Sequence, residues 1–300
     1  MPDNCCQALA QPVILLLIDG VGLPRQGLAD SVYAAHPALM ELFTGHTVPL
    51  DAGLGVPGIP QSATGQTAIL TGVNAAALLG EHQPGFPGPR LREVIERENL
   101  FRKVLAAGRS CCFANAYARP MEAELPMPMR SVTTVAMLQA LRSPLNKTDL
   151  LAGRAVYHDL TRSWLAAHGV ADVPLISEEQ AADDLLHIAR GVDLCVFEYF
   201  LTDHAGHRAG DERAKAIVEV LTSFDRFLGR LMAGMDGSRE LLLLVSDHGN
   251  TESPETRGHT THAVPFAAWG CGAAEARRGM RSIVQVTPRV LEMLVPRRPA

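Results

Sequence analysis

Val13-Ile-Leu-Leu-Leu-Ile-Asp-Gly-Val-Gly22 is six apolar residues running without a break into an acidic side chain and a glycine turn. A run this short, with no polar alternation and bounded by turn residues, predicts a strand buried on both faces, as in a parallel sheet. The pattern returns twice. Leu241-Leu-Leu-Leu-Val245 runs into Ser246-Asp-His-Gly-Asn250, and Asp193-Leu-Cys-Val-Phe-Glu-Tyr-Phe200 runs towards Thr202-Asp203. In open α/β sheets, ligands bind beyond the carboxyl ends of the strands. Asp19, Asp203 and Asp247 are therefore expected at one sheet edge.

Helical patterns lie between these strands. Leu91 to Ala107 repeats its apolar residues at helical spacing and stops at Gly108; Glu178 to Ala189 starts after Ser177, a good N-cap; Asp211 to Met232 reads as one long amphipathic helix. Ser110 to Tyr117 reads as a further strand. The β, α, β, α order favours an α/β layer fold. Residues 1–300 are read as one domain. Its Pro/Gly-rich loops, Gly80 to Pro89 and Pro120 to Pro128, suggest a small cap-like excursion at about 80–175.

Composition narrows the function. Of 300 residues, 27 are Lys or Arg and 32 are Asp or Glu, a formal charge of -5, so the electrostatic footprint of a nucleic-acid binder is missing. Hydrophobic residues make up 47%, which argues against disorder. The longest aliphatic runs fall far short of the roughly 20 residues that cross a bilayer. The segment MPDNCCQALAQP lacks the positive start of a secretory signal. Cys5, Cys6, Cys111, Cys112, Cys195 and Cys271 show no C-x-x-C spacing and read as reduced thiols. A cytoplasmic location is the resulting expectation.

Several segments carry chemistry. Gly53-Leu-Gly-Val-Pro-Gly58 matches G-x-G-x-x-G, but Pro57 and Pro60 oppose the helix start that a dinucleotide site needs, so it reads as a turn-rich loop. Gln61-Ser-Ala-Thr-Gly-Gln-Thr67 leads small residues into an apolar helix start. Ser62 there is either an N-cap or a nucleophile at a helix N-terminus, where free N–H groups favour a phosphate. Eleven histidines occur in the chain, and His204, His207, His248, His259 and His262 each lie close to an Asp or another His. Carboxylate and imidazole together suit zinc or manganese. There are more of them than one ion needs, and two divalent ions about 3.5–4 Å apart serve in-line displacement at phosphorus.

Five segments in order, Ile18-Asp-Gly-Val-Gly22, Ser62-Ala-Thr-Gly65, Asp203-His-Ala-Gly-His207, Ser246-Asp-His-Gly-Asn250 and His259-Thr-Thr-His-Ala-Val-Pro265, resemble the alkaline-phosphatase-like metalloenzyme superfamily. They are most similar to its branch with cofactor-independent phosphoglycerate mutase and phosphopentomutase. The resemblance implies a three-layer α/β/α fold around a mostly parallel sheet. It implies two divalent ions, Mn²⁺ or Zn²⁺: one on Asp203, His207 and His259, the other on Asp19, Asp247, His248 and the Ser62 oxygen. Ser62 would be the phosphoryl-accepting nucleophile. His262 falls where the family varies, and His204 matches no ligand position.

Two departures matter. The residue after Ser-x-x-Gly is typically His in the mutases and is Gln66 here. The mutases also insert a large substrate-binding domain after the nucleophile, for which the residues between Thr71 and Asp193 leave too little chain. The expected activity is therefore a two-metal phosphohydrolase or phosphotransferase acting on a small phosphorylated substrate. A phosphomutase and a non-catalytic metal-binding protein are the alternatives. A sulfatase needs a Cys/Ser-x-Pro-x-Arg setting that Ser62 lacks. Arg25, Arg90, Arg119 and Asn74 are candidate substrate contacts without a spacing argument.

Overall fold

A computed structural model describes residues 12–119, 126–141, 143–170, 172–256 and 258–295. Cys5, Cys6, the N-terminal segment and most of the Pro120 to Pro128 loop lie outside the described residues. The strands are β1 (Val13–Ile18), β2 (Thr47–Leu50), β3 (Cys111–Phe113), β4 (Ala116–Tyr117), β5 (Leu145–Asn146), β6 (Leu194–Tyr199), β7 (Leu241–Val245) and β8 (Val264–Gly270). The first helices are α1 (Pro37–Gly45), α2 (Ser62–Thr71), α3 (Ala75–Leu79), α4 (Pro89–Glu98), α5 (Leu100–Ala106) and α6 (Val132–Leu141). After them come α7 (Lys147–Leu151), α8 (Ser163–Ala167), α9 (Glu178–Ala189), α10 (Leu201–Gly206), α11 (Asp211–Gly234), α12 (Ala273–Arg277) and α13 (Val286–Leu294).

Six strands form one sheet in the order β2-β8-β7-β1-β6-β3. β1 is central and parallel to β6 and β7; β3 is parallel to β6; β8 runs antiparallel to both its neighbours. Every residue of β1 is buried, as its unbroken apolar run predicts. Val13, Leu15 and Leu17 join a core with Ile69 of α2, Phe101 of α5, Val135 of α6 and Val290 of α13. Ile14, Leu16 and Ile18 join the opposite core with Leu39 of α1, Leu185 of α9 and Phe224 of α11. The period-2 alternation of a strand thus feeds both helix layers, and each such side chain stabilises the fold by roughly 1.5–3 kcal/mol. This is a three-layer α/β/α fold with a mostly parallel sheet.

Two elements differ from the sequence reading for local reasons. The single helix expected over Leu91 to Ala107 breaks at Asn99, whose backbone is extended. Asn99 Nδ2 donates to the Ile95 carbonyl (2.8 Å) and its Oδ1 accepts from Arg102 N (3.0 Å), closing α4 and capping α5. The strand expected over Ser110 to Tyr117 divides into β3 and β4. Between them Asn115 Nδ2 donates to the Glu198 carbonyl and its Oδ1 accepts from Glu198 N, both at 2.8 Å. A side-chain amide thus replaces the strand ladder where the chain leaves the main sheet.

Within the 80–175 stretch, Ile95, Phe101 and Val135 belong to the main core. Ala116, Leu150, Tyr157 and Leu165 gather into a smaller cluster around the β4-β5 pair. Among the described residues, no helix is long and apolar enough to cross a membrane.

Candidate metal centre

The carboxyl ends of β1, β6 and β7 converge. Asp19 N donates to the Tyr199 carbonyl at 3.0 Å, Val21 N to Ser246 Oγ at 2.9 Å, and Gly20 N to Asp247 Oδ1 at 3.3 Å. Gly20 has φ +70° and lies so close to α10 that a Cβ would stand 2.7 Å from Asp203 Oδ1. At Gly65, in the first turns of α2, a Cβ would stand 2.7 Å from the Asp247 carbonyl. These two glycines let the loop after β1 and helix α2 close on the carboxylates.

Ser62 is the first residue of α2, and Gln61 rather than Ser62 occupies the N-cap position. The capping alternative for Ser62 is therefore not realised. Its Oγ lies 2.9 Å from His248 Nε2 instead. That nitrogen is also 3.1 Å from Asp19 Oδ1 and 3.6 Å from Asp247 Oδ2. Asp19, Asp247 and His248 form one group able to hold a metal ion.

The second group forms where α10 carries Asp203 and ends at His207, which serves as its C-cap. Asp203 Oδ2 is 3.1 Å from His207 Nε2, Asp203 Oδ1 is 3.4 Å from His259 Nε2, and the two Nε2 atoms are 3.0 Å apart. His248 also lies within reach of Asp203 and His259, and the His248 and His259 rings stack at 3.7 Å. All seven residues expected from the sequence thus meet in one place.

Three features fit divalent cations. Ligand atoms at 2.0–2.1 Å in a tetrahedral shell stand about 3.3 Å from one another, and Asp203, His207 and His259 approach that spacing. His259 Nδ1 faces the Pro60 carbonyl at 3.0 Å and His248 Nδ1 the Gly249 carbonyl at 3.3 Å. A carbonyl accepts only, so Nδ1 donates in each ring, which leaves Nε2 as the atom turned to the carboxylates and free to ligate an ion once it carries no proton. Finally, buried Asp247 Oδ2 has no hydrogen-bond donor, although Oδ1 accepts from His248 N (3.0 Å).

The electrostatics agree. Burial, followed by the charges of Asp247, Asp203 and Glu198, pushes the Asp19 carboxyl well above the usual range. Burial would also raise Asp203, but hydrogen bonds with His207, His259 and Asn250 hold it well below that range. A cluster this acidic without a compensating cation is costly.

The surroundings explain the remaining candidates and add others. Gln66 Nε2 donates to Asp19 Oδ2 at 3.0 Å, so the residue that departs from the mutase pattern orients a carboxylate. His262 Nδ1 lies 3.0 Å from Glu252 Oε1. Glu252 is fully buried and also accepts from Gly22 N, Asn250 N and Thr260 Oγ1. Asn250 Nδ2 donates to Asp203 Oδ1 at 2.7 Å, and Asn250 Oδ1 accepts from buried Arg213 at 2.8 Å. Arg90 donates to the Leu78 carbonyl, Asn74 caps α3, Arg25 is exposed, and Arg119 sits over the Trp164 ring.

Glu198 escaped the sequence reading. It is buried on β6 beside the centre, accepts from Thr133 Oγ1 at 2.7 Å, and is pushed up to about 7 chiefly by burial. Its signal was present: it is the one charged residue in an otherwise apolar strand, Leu-Cys-Val-Phe-Glu-Tyr. Nothing in the spacing of Glu252 or Arg213 marks either.

Comparison with known proteins gives the chain's family and fold. The family model described as the Metalloenzyme superfamily matches residues 11–295. The 2,3-bisphosphoglycerate-independent phosphoglycerate mutase of Cereibacter sphaeroides is 34% identical over 129 residues, covering 40% of this chain and 25% of that protein. The enzyme of the same name from Acetivibrio thermocellus is 29% identical over 152 residues, covering 47% of this chain and 29% of that protein. The chain thus matches only about a quarter of these relatives' length. Among solved structures, the PH0037 protein from Pyrococcus horikoshii superposes with a TM-score of 0.59 at 13% identity, covering 98% of this chain and all of that one. The alkaline phosphatase from the Antarctic bacterium TAB5 does so with a TM-score of 0.51 at 14% identity, covering 96% and 99%. The fold is alkaline-phosphatase-like, and the chain belongs to the Metalloenzyme superfamily.

Proposed function

We propose that the chain is a two-metal phosphohydrolase or phosphotransferase that works on a small phosphoester, in the cytoplasm, through a phosphoserine on Ser62. The observation that carries this reading is the Ser62 hydroxyl at the N-terminus of α2, 2.9 Å from His248 Nε2 and beside both ligand groups. Asp203, His207 and His259 would hold one divalent ion, and Asp19, Asp247, His248 and Ser62 the other. Two bound ions, Mn²⁺ or Zn²⁺, would supply the positive charge that favours an alkoxide at neutral pH and neutralises phosphoryl oxygens.

The rest is the work of the chain's own residues. Ser62 Oγ, its proton released to solvent, attacks phosphorus in line, its P–O bond forming as the bond to the substrate alcohol breaks. The departing alcohol oxygen takes a proton from solvent. First-turn N–H groups of α2, which helix geometry leaves without intrahelical partners, offer donors to the phosphoryl oxygens. Water then cleaves the phosphoserine, returning Ser62 and releasing phosphate. Gln66 and Asn250 keep the Asp19 and Asp203 carboxylates turned inward.

Phosphate release from p-nitrophenyl phosphate with added Mn²⁺ or Zn²⁺ tests the reading. Ser62→Ala should abolish it; equal rates for the two proteins would refute the serine's role. The similarity to phosphoglycerate mutases favours a second reading, in which the phosphoserine returns its group to another hydroxyl of the same substrate. Accumulation of an isomer rather than free phosphate from a phosphoglycerate would establish it.

A further inference from the structure

Two adjoining cavities, about 390 and 170 Å³, share Ser131, Thr134, Glu198 and Phe200 in their walls, and the first opens beside Ser62. The larger has the size of a small-ligand site. Its charged lining consists of Asp19, Glu198 and Asp203, and no Lys or Arg among the described residues lines either cavity. Its apolar walls are Phe86, Met129 and Phe200. Phe200 belongs to a column of neighbouring rings: its centroid is 5.1 Å from that of His204 and 4.8 Å from that of His158, which lies 5.7 Å from Trp164. Arg119 lies 4.8 Å over the Trp164 ring.

A phosphoglycerate carries a carboxylate besides its phosphate. Divalent ions at Asp19 and Asp203 would serve the phosphoryl group, but among the described residues the carboxylate would meet Glu198, hydroxyls and aromatic walls with no Lys or Arg lining the cavity to pair with it. Burying an unpaired charge is strongly unfavourable. Aromatic faces instead favour a flat ring packed in an offset or edge-on arrangement.

We propose that this cavity selects phosphate monoesters whose alcohol part is uncharged and carries a flat aromatic group, seated against Phe200 and Phe86, and that it rejects carboxylated esters. The proposal rests on the phosphoryl-transfer reading of Ser62. Phe200 and Phe86 are then specificity-determining residues, in contact with the leaving group rather than the phosphorus.

The test compares benzyl phosphate, glycerol 3-phosphate and 3-phosphoglycerate on the metal-loaded full-length protein. All three are primary alkyl esters, so intrinsic reactivity differs little among them. The expected kcat/KM for benzyl phosphate exceeds that for 3-phosphoglycerate by about thirty-fold or more. Phe200→Ala and Phe86→Ala should shrink that ratio to within about three-fold, through KM for benzyl phosphate. Phe86 is half exposed, so its replacement leaves the fold intact. Equal or better cleavage of 3-phosphoglycerate overturns the selectivity while leaving the phosphotransfer reading standing, as does an unchanged ratio in both variants. No phosphate from any ester overturns both.

Discussion

Ser62 Oγ and His248 Nε2 stand 2.9 Å apart although 186 residues separate them in the chain. Each is held from its own side. Ser62 opens helix α2, and His248 follows β7, its Nδ1 turned to the Gly249 carbonyl. The contact depends on α2 meeting the end of β7 at Gly65, where there is no room for a methyl group. Gly65→Ala is therefore expected to push α2 away from Asp247 and cut phosphoester cleavage by about 10²-fold or more, since small misplacements at a reacting centre are that costly. Far-UV circular dichroism should still show a folded α/β protein. Unchanged activity in this variant would mean the Ser62–His248 distance is not critical.

Metal removal should destabilise the fold. Asp19, Asp203 and Asp247 are buried together, and the carboxylates repel one another until cations compensate them. An ion present at 100 times its Kd stabilises by about 2.7 kcal/mol. For a chain of this size that corresponds to a Tm higher by roughly 4 °C for each ion. Calorimetry of chelated and Mn²⁺- or Zn²⁺-loaded protein measures it, and coincident melting curves would contradict the assignment of these carboxylates as ligands.

Asn250 links Arg213 to Asp203 by hydrogen bonds of 2.8 and 2.7 Å. Asn250→Ala removes the donor that orients Asp203 and leaves the buried Arg213 with one acceptor fewer. Metal affinity should drop about 10- to 100-fold, as for other partners that orient a ligand. Competition with a chelating dye reads this directly, and an unaltered affinity would show that Asp203 needs no such support.

His158, inside the ring column, titrates far from its ordinary value. Burial, then the charge of His204, pushes it down to about 4. The unfolded chain takes up that proton below about 6.5 while the folded chain does not until about 4, so stability is lost as pH falls through this window. The loss is at most about 3 kcal/mol. His158→Phe keeps a ring against Phe200 and should flatten the urea-midpoint profile between pH 6.5 and 4. A variant with the same acid slope as the wild type would locate the dependence elsewhere.

Much of this arrangement was legible in residue order. Unbroken apolar runs leading into Asp foretold β1 and β7, and a mostly apolar run leading towards Asp203 foretold β6, because strands buried on both faces carry near-continuous apolar residues. The ordered His and Asp segments foretold the seven converging side chains. β2, on the sheet edge, is too short and too mixed to stand out, and its partner β8 was seen only as the tail of a histidine segment. The break at Asn99 depends on one side chain bonding both ways, which helical periodicity does not register. Arg213 and Glu252 act through contacts across 37 and 230 residues of chain, and no local spacing encodes those.

Ser62 is proposed to carry the phosphoryl group. Metal-loaded protein mixed with an aryl phosphate, quenched in acid within the first turnover and digested for mass spectrometry, tests it most directly. Phosphate is expected on the peptide containing Ser62, located at Ser62 itself, and none in Ser62→Ala. Phosphate release at the wild-type rate with no trapped phosphoserine, or with Ser62→Ala fully active, would contradict it.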